Sequence, residues 1–397
     1  MRWRMLAWIS LAQLGALSLW FSATAVLPSL HTPWMSGAAR AWISMAVTLG
    51  FVAGTVTSAC LTLADYVGAR RLFVVSAVGG ALVNAVLLLT IDSLPLVLAV
   101  RVLTGVAMAG TYPPGMKLAA SWFATNRGLA VGSLVGALTV GSALPHLINY
   151  LGGLAWRPVI VTTSIAALGA ALVMATRVQD GPHVVARASF NPKSVGHLLR
   201  SRGVVLASLG YFGHMWELYA MWAWIGFYLL AAFSAAGLPS APRWGAVATA
   251  AVSATGAAGA LLAGVVADRI GRTTTTMLAM IGSGSCALLV GFAFGRPGLL
   301  VVVALVWGLT IVADSAQFSA AVTELAPPDY VGTALSLQTS VGFLLTLVST
   351  WFVPQMADVW GWRWAFAFLA PGPLLGTLAM WTLRRLPESV NLAGGRR

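Results

Sequence analysis

Three residues that can exchange protons lie inside long apolar stretches of the sequence. His214 and Glu217 are three residues apart, so on a helix they share one face and could share a proton. Asp314 lies in another apolar stretch, with Gln317 three residues further on. An unpaired buried carboxylate is costly, and a group that is protonated in one state and ionised in another suits proton coupling. The alternative is a structural hydrogen bond that ties two helices together.

Arg101 and Gln13 are further polar residues in apolar stretches. In Arg101-Val102-Leu103-Thr104-Gly105 the guanidinium lies about two helical turns inside its apolar run. Such a cation is expected to act as a counter-charge or as a contact for an anion. The alternative is that its long side chain reaches the nearest polar surface.

The composition indicates where these stretches lie. Of 397 residues, 59% are hydrophobic and only 8% are charged, whereas soluble domains carry roughly a quarter charged residues. The chain is therefore expected in a lipid bilayer. Because a spanning helix needs roughly 20 apolar residues, about a dozen spans would use nearly all of the chain. The predicted fold class is an all-α polytopic membrane protein with twelve transmembrane helices.

Twelve apolar runs can be counted along the chain, with a polar segment after the sixth. The predicted spans are residues 5–27, 42–63, 72–90, 95–121, 129–150, 158–176, 203–233, 244–266, 274–294, 298–324, 332–354 and 363–383. The polar segment, residues 177–202, is predicted to be a central loop. It separates a first six-helix unit, residues 1–176, from a second, residues 203–397, which includes a tail.

The net charge of +13 comes largely from cations at the ends of the apolar runs. Cations in these positions anchor a membrane topology, so no nucleic-acid partner is expected. Their bias predicts that both termini and the central loop lie in the cytoplasm, with the chain in the inner (plasma) membrane. The loop from Glu324 to Asp329 departs from this rule, because it carries acids and no cation.

Several other chemistries are set aside. The sequence has no glycine-rich phosphate loop with a lysine, so ATP-driven transport is not expected. The histidines are scattered, and Cys60 and Cys286 lie in apolar runs, which argues against a metal site or a disulfide framework. No Ser or Cys has an adjacent His and acid, which argues against an enzyme. We therefore expect no cofactor.

A charged turn occurs twice with the same spacing from its acid to its glycine. The turn residues are Asp65, Gly68, Arg70 and Arg71 in the first copy, and Gly264, Asp268, Arg269, Gly271 and Arg272 in the second. Further matches between 127–132 and 331–336, and between 156–157 and 362–363, predict a duplicated unit. Glycine lets the chain reverse tightly, and the acids could pair with a nearby Arg in one conformation only. The alternative is that these are simple charged loops.

Taken together, these features resemble the major facilitator superfamily of secondary transporters, over nearly the whole chain. The second turn matches that family's cytoplasmic turn motif in full, whereas in the first copy Leu61, Tyr66 and Ala69 depart from it. The resemblance implies that the first, fourth, seventh and tenth helices surround a central cavity. These helices hold Gln13, Arg101, Glu217 and Asp314. The resemblance also associates Arg101 with proton coupling.

We therefore expect a monomeric carrier that moves a small organic solute across the lipid bilayer by alternating access and is coupled to protons. Glu217 and Asp314 are expected to titrate, with His214 as a relay and Arg101 as a counter-charge. Import and export both stay open, since the acids could serve an exporter and Arg101 could receive an organic anion in an importer. The alternative is a non-transporting receptor or scaffold with the same fold.

Overall fold

The computed structural model describes residues 1–30, 32–61, 63–123, 127–183, 195–327 and 330–396, with only the backbone described for Asp65 and for residues 127–129. These residues form helices and no β-strand. The first seven helices are α1 (Arg2–Leu17), α2 (Gly37–Cys60), α3 (Ala69–Thr90), α4 (Leu94–Ala109), α5 (Tyr112–Trp122), α6 (Arg127–Leu151) and α7 (Trp156–Arg177). The others are α8 (Val195–Leu198), α9 (Arg202–Ala235), α10 (Ala241–Ile270), α11 (Arg272–Leu289), α12 (Pro297–Ala313), α13 (Ser315–Leu325), α14 (Val331–Trp360), α15 (Trp362–Ala365) and α16 (Pro371–Arg385).

Among the described residues, eleven helical stretches are long and apolar enough to cross a membrane. They correspond to the predicted spans from the second to the twelfth. Their outward surfaces carry large apolar side chains such as Leu89, Val75 and Leu172, each more than half exposed. Exposed apolar surface of this kind suits contact with lipid. The chain is an all-α polytopic membrane protein, which confirms the predicted fold class.

The predicted first span, residues 5–27, is not one continuous helix. The helix α1 ends at Leu17, turns follow, and a 3₁₀ helix then runs from Thr24 to Ser29. The hydroxyls of Ser18 and Ser22 each donate to a main-chain carbonyl three residues back, over 2.7 and 2.9 Å. Such bonds compete with regular helix formation. The break leaves main-chain oxygens free to accept hydrogen bonds from other helices.

The predicted fourth and tenth spans are also broken. In residues 95–121, α4 ends at Ala109 and α5 begins at Tyr112. In residues 298–324, the break falls at Asp314, between α12 and α13. The fourth helix of each half of the chain is therefore interrupted, and one interruption holds a candidate proton-exchanging residue.

Two helix crossings depend on paired glycines. The helix α2 crosses α4 at Gly50 and Gly105, and α10 crosses α12 at Gly259 and Gly308. A Cβ atom on any of these glycines would overlap the main chain of the partner helix. The backbones can approach this closely only where both helices carry small residues. The second and fourth spans of each half are thus packed in the same way.

Helices from the first half of the chain, α1 to α7, and from the second half, α9 to α16, meet along two seams, where α6 packs against α10 and α2 against α14. The α6–α10 pair is antiparallel, because Gly132 lies against Ala260 and Gly136 against Ala257. The beginning of α6 is therefore beside the end of α10.

The two ends of the described chain lie at one end of the helix bundle. The ring of Trp3 contacts that of Phe123, which shortly precedes α6, with a centroid distance of 5.1 Å. Arg396 donates a hydrogen bond to the main-chain oxygen of Asp268, near the end of α10. We call this the terminal end of the bundle and the opposite one the distal end.

Candidate functional site

Glu217 lies near the middle of α9 and is only 1% exposed. Ser283 Oγ on α11 donates to Glu217 Oε2 over 2.7 Å, and Trp307 Nε1 on α12 donates to Oε1 over 2.7 Å. Among the described residues, no Lys, Arg or His pairs with this carboxylate. Uncharged donors from two other helices therefore hold both oxygens of the buried Glu217 carboxyl group.

Ser283 and Trp307 are site residues that the sequence analysis misses. Uncharged donors are common in membrane helices, whereas an acid in an apolar run stands out at once. The available signals were weak: Ser283 lies in the Gly-Ser repeat of α11, and Trp307 interrupts the Val-rich α12. Neither signal indicates that the two side chains meet Glu217.

His214 contacts Asp314, and none of the described contacts joins it to Glu217. His214 Nδ1 lies 2.8 Å from Asp314 Oδ1, and neither side chain is more than 2% exposed. This is the distance of an ion pair, but the contact lacks the alignment of a hydrogen bond. Asp314 Oδ1 therefore has no hydrogen-bond partner among the described residues, and His214 Nε2, the other ring nitrogen, has none either. His214 thus contacts an acid at the break between α12 and α13, and the sharing of a proton between His214 and Glu217 stays a prediction.

Gln317 lies apart from this pair, against the second charged turn. Arg272 Nη1 donates to Gln317 Oε1 over 2.8 Å. Arg272 Nε and Nη2 donate to the two carboxylate oxygens of Glu324, over 2.8 and 2.5 Å. This bidentate ion pair ties the beginning of α11 to α13. The sequence analysis assigns Glu324 to an acidic loop that departs from the charge rule, but the residue lies in the last turn of α13 and its cationic partner is Arg272.

The backbone of the charged turns matches the expectation for their glycines. Gly68 and Gly271 have φ of +88° and +92°, in the region that glycine adopts most readily. The Asp268 side chain is exposed and forms no ion pair within the described part of the chain. The acid that pairs with the second turn is therefore Glu324 instead of Asp268. The side chain of Asp65 lies outside the described residues.

The remaining turn residues have different surroundings in the two copies. Arg70 Nη1 donates to the main-chain oxygen of Val178, just after α7, over 3.1 Å. Arg71 and Arg269 are exposed, and Gly264 is buried in α10. The first turn is thus bound to the end of α7 and the second to α13.

Arg101 is fully buried, so it does not reach a polar surface. Its guanidinium donates to the main-chain oxygens of Leu19, over 3.1 Å, and Trp20, and to Ser22 Oγ over 3.3 Å. These groups lie at the break after α1. Arg101 was expected to act as a counter-charge, but no carboxylate pairs with it in the described residues. Arg101 holds the broken first span against α4.

Asn84 on α3 extends this polar network. It accepts a hydrogen bond from Ser22 over 2.6 Å and donates to Ser164 Oγ on α7 over 2.9 Å. The broken first span is thereby connected to α3, α4 and α7. Asn84 is a further buried polar residue that the sequence analysis does not single out.

Gln13 is fully buried on α1. Neither atom of its amide group has a hydrogen-bond partner among the described residues. It lies so close to Gly115 on α5 that a Cβ atom there would overlap the amide oxygen. Buried polar groups are usually satisfied, so the unpaired amide group of Gln13 is an exception within the described chain.

Aromatic rings from both halves of the chain meet between these polar groups. Trp20 contacts Phe51, Tyr219 and Phe343 with centroid distances of 5.0, 5.3 and 5.8 Å. Tyr219 also contacts Trp222, at 5.6 Å. We call these five residues the aromatic plug. Its rings come from the turns after α1 and from α2, α9 and α14.

A cavity of about 400 Å³ lies on the distal side of the plug. It is lined by the 3₁₀ helix after α1 and by α6, α9 and α10, so both halves of the chain contribute. Phe21 joins the two features, because its ring contacts Trp222 of the plug and His146 of the cavity, at 5.9 and 6.5 Å. We call this the distal cavity. The described residues include no group of three or more His, Cys, Asp or Glu side chains that could hold a metal ion.

Comparison with known proteins agrees with this architecture. The family described as the Major Facilitator Superfamily matches residues 5–248 and 240–397, which is nearly the whole chain. A comparison with curated proteins found no match. Members of this superfamily are membrane transporters, and the eleven apolar spans and the repeated glycine crossings suit such a protein. Because the family matches along both halves of the chain, the chain belongs to the Major Facilitator Superfamily.

Proposed function

We propose that this membrane transporter moves a small organic solute by alternating access of two six-helix units, residues 1–176 and 203–397, on either side of the loop 177–202. The chain's membership of the superfamily supports a transport function. The repeated crossings of the second and fourth spans support two equivalent units. The distribution of cations supports an inner membrane location with both termini and the loop in the cytoplasm. We propose that the carrier works as a monomer.

We propose further that transport is coupled to protons. The observation that carries this proposal is the burial of three proton-exchanging side chains, Glu217, His214 and Asp314, where α9 meets α12 and α13. Buried ionisable residues in membrane spans are costly and are usually functional. Support also comes from the partners of the two carboxyl groups, because no described Lys or Arg pairs with Glu217 or Asp314.

A change of protonation at Glu217 would alter how α9 is held. As a carboxylate, it accepts hydrogen bonds from α11 and α12 at the same time. A neutral carboxyl group is a weaker acceptor, because hydrogen bonds to an ionised partner are roughly twice as strong as neutral ones. Proton uptake would therefore loosen α9 from Ser283 and Trp307. This is a local change that two alternative arrangements of the helices could amplify.

The experiment begins with thermal-shift measurements of the purified protein against metabolites and drugs at two pH values. A ligand that binds the folded state raises its apparent stability, so this screen identifies a solute. Flux of that solute is then measured in proteoliposomes with a pH gradient. We expect Glu217→Gln and Asp314→Asn to abolish pH-driven flux while leaving exchange of solute for solute.

The matched control is Asp358→Asn, which removes an exposed acid at the end of α14 and should leave flux unchanged. Full pH-driven flux in both Glu217→Gln and Asp314→Asn would contradict the proton assignment. Absence of any flux in vesicles, for every solute that binds, would instead favour a receptor or scaffold.

A further inference from the structure

The distal cavity contains a polar atom that has no partner. Asn149 on α6 is 3% exposed, and its Nδ2 donates to the main-chain oxygen of Ala25 over 3.0 Å. This bond fixes the amide group, and Asn149 Oδ1 is then left with no donor among the described residues. A buried amide oxygen in this state costs free energy unless another donor reaches it. The cavity that Asn149 lines is the space from which such a donor can come.

His146 lies one helical turn before Asn149 and lines the same cavity. It is 7% exposed, and its contact within the described part of the chain is the ring of Phe21. Its imidazole nitrogens have no hydrogen-bond partner there. Two polar side chains of α6 thus offer unused hydrogen-bonding groups to one cavity.

The opposite wall comes from the other half of the chain and is largely apolar. Phe227 and Leu230 on α9 and Pro242 at the beginning of α10 line it. No Asp, Glu, Lys or Arg is among the described lining residues. Arg40 does not line the cavity, and its guanidinium lies over the ring of Phe227, 5.2 Å from the centroid. A charged solute would therefore form no direct ion pair with the lining to offset its desolvation. A volume of about 400 Å³ falls in the range of pockets that hold small organic molecules.

We propose that the distal cavity is a binding site for an uncharged, partly apolar solute that donates a hydrogen bond to Asn149 Oδ1. The proposal rests on the proposed function, since it gives the chemical class of the solute that the carrier moves. The site is separate from Glu217 and from the His214–Asp314 pair. Because α6 contributes one wall and α9 and α10 the other, a bound solute touches both units.

The test uses three probes that share one indole ring and differ in charge. N-acetyltryptophanamide is neutral and carries N–H donors, tryptophanamide is a cation, and N-acetyltryptophan is an anion. Binding to the full-length protein in lipid nanodiscs is measured by isothermal titration calorimetry. We expect the neutral probe to bind more tightly than either charged probe.

Two variants and a control locate the binding site. Asn149→Leu removes the acceptor at similar size and should weaken binding of N-acetyltryptophanamide by about fivefold. Ala246→Phe fills the cavity from α10 and should weaken binding by more than about tenfold. Val247→Phe, at the next and also half-buried position of α10, does not line the cavity and should bind as the unchanged protein does. If Asn149→Leu fails to fold, the binding measured for Ala246→Phe decides the test.

Failure of this inference is distinguishable from failure of the proposed function. Tighter binding of a charged probe, unchanged binding in Ala246→Phe, or no binding of the neutral probe at millimolar concentration would overturn the assignment of the distal cavity. None of these results depends on Glu217. Conversely, binding of N-acetyltryptophanamide that Ala246→Phe removes, together with full pH-driven flux in Glu217→Gln and Asp314→Asn, would keep the distal site and reject proton coupling alone.

Discussion

At the scale of single residues, the buried charges of the two halves have different kinds of partner. Arg101 donates to main-chain oxygens, whereas Glu217 accepts from two uncharged side chains. His214 and Asp314 meet at a distance of 2.8 Å. Since a charge at the centre of a membrane costs about 3 kcal/mol or more, each needs compensation. The compensation for Arg101 is a broken helix, and this suggests a structural part for that residue.

We therefore expect Arg101→Ala to destabilise the protein. It would leave the main-chain oxygens of Leu19 and Trp20 without donors, at about 1–3 kcal/mol for each buried unsatisfied group. Arg101→Lys keeps one donor nitrogen and should lose less. The Tm of each purified variant measures the effect. If Arg101→Ala kept the original Tm and lost transport, Arg101 would act directly on the solute or the proton instead.

Residue type and position were enough to predict that Glu217, His214 and Asp314 are buried, because an ionisable group inside a long apolar run has few ways to reach water. Their partners could not be predicted. The donors Ser283 and Trp307 come from other helices, and no local pattern specifies which helix faces they share with Glu217. Whether any of these groups titrates is still a prediction.

At the scale of helices, the length of the apolar runs was sufficient to predict eleven spans, since each span must cover the same membrane thickness. The breaks in the first, fourth and tenth spans were not predicted. A break depends on what satisfies its free main-chain groups, and for the first span this is Arg101, from a distant part of the sequence. Gln317 shows the consequence of such a break. It follows the break at Asp314 and is bound to Arg272.

The paired glycines give a prediction at this scale. In Gly259→Ala the new Cβ atom would overlap the main chain of Leu309 on α12, so the two helices must move apart. We expect a lower Tm and lower flux. The matched control is Gly169→Ala on α7, where a Cβ atom meets nothing within 4 Å. Since Ala is favoured over Gly in a helix by up to about 1 kcal/mol, the control should be neutral or slightly stabilising. Equal behaviour of the two variants would contradict the close crossing.

At the scale of the whole molecule, the two halves meet through rings as well as along the two helix seams. Phe51 on α2 and Phe343 on α14 have a centroid distance of 4.7 Å, and both belong to the aromatic plug. These ring contacts join the two halves next to the distal cavity, because Trp222 of the plug contacts Phe21, which contacts His146 of the cavity. Alternating access would require these contacts to open.

Cross-linking tests this requirement. Cys60→Ser and Cys286→Ala remove the described thiols, and Phe51→Cys with Phe343→Cys then places one thiol on each half. A short bifunctional methanethiosulfonate should stop solute flux, and a reductant should restore it. The control is Tyr228→Cys with Phe366→Cys, whose original rings are 4.9 Å apart within the second half. Flux that continues through a confirmed Phe51–Phe343 cross-link would exclude separation of the halves at the plug.

The absence of charged side chains from the described lining of the distal cavity has an electrical consequence. If the solute is neutral, it brings no charge to balance the proton that moves with it. Each transport cycle then carries current, and the membrane voltage contributes about 2.3 kcal/mol per elementary charge for about 100 mV. A potassium diffusion potential set with valinomycin, at equal pH on both sides, should therefore drive solute across the vesicle membrane. Solute flux that does not depend on the membrane voltage would mean that the proton travels with a compensating charge.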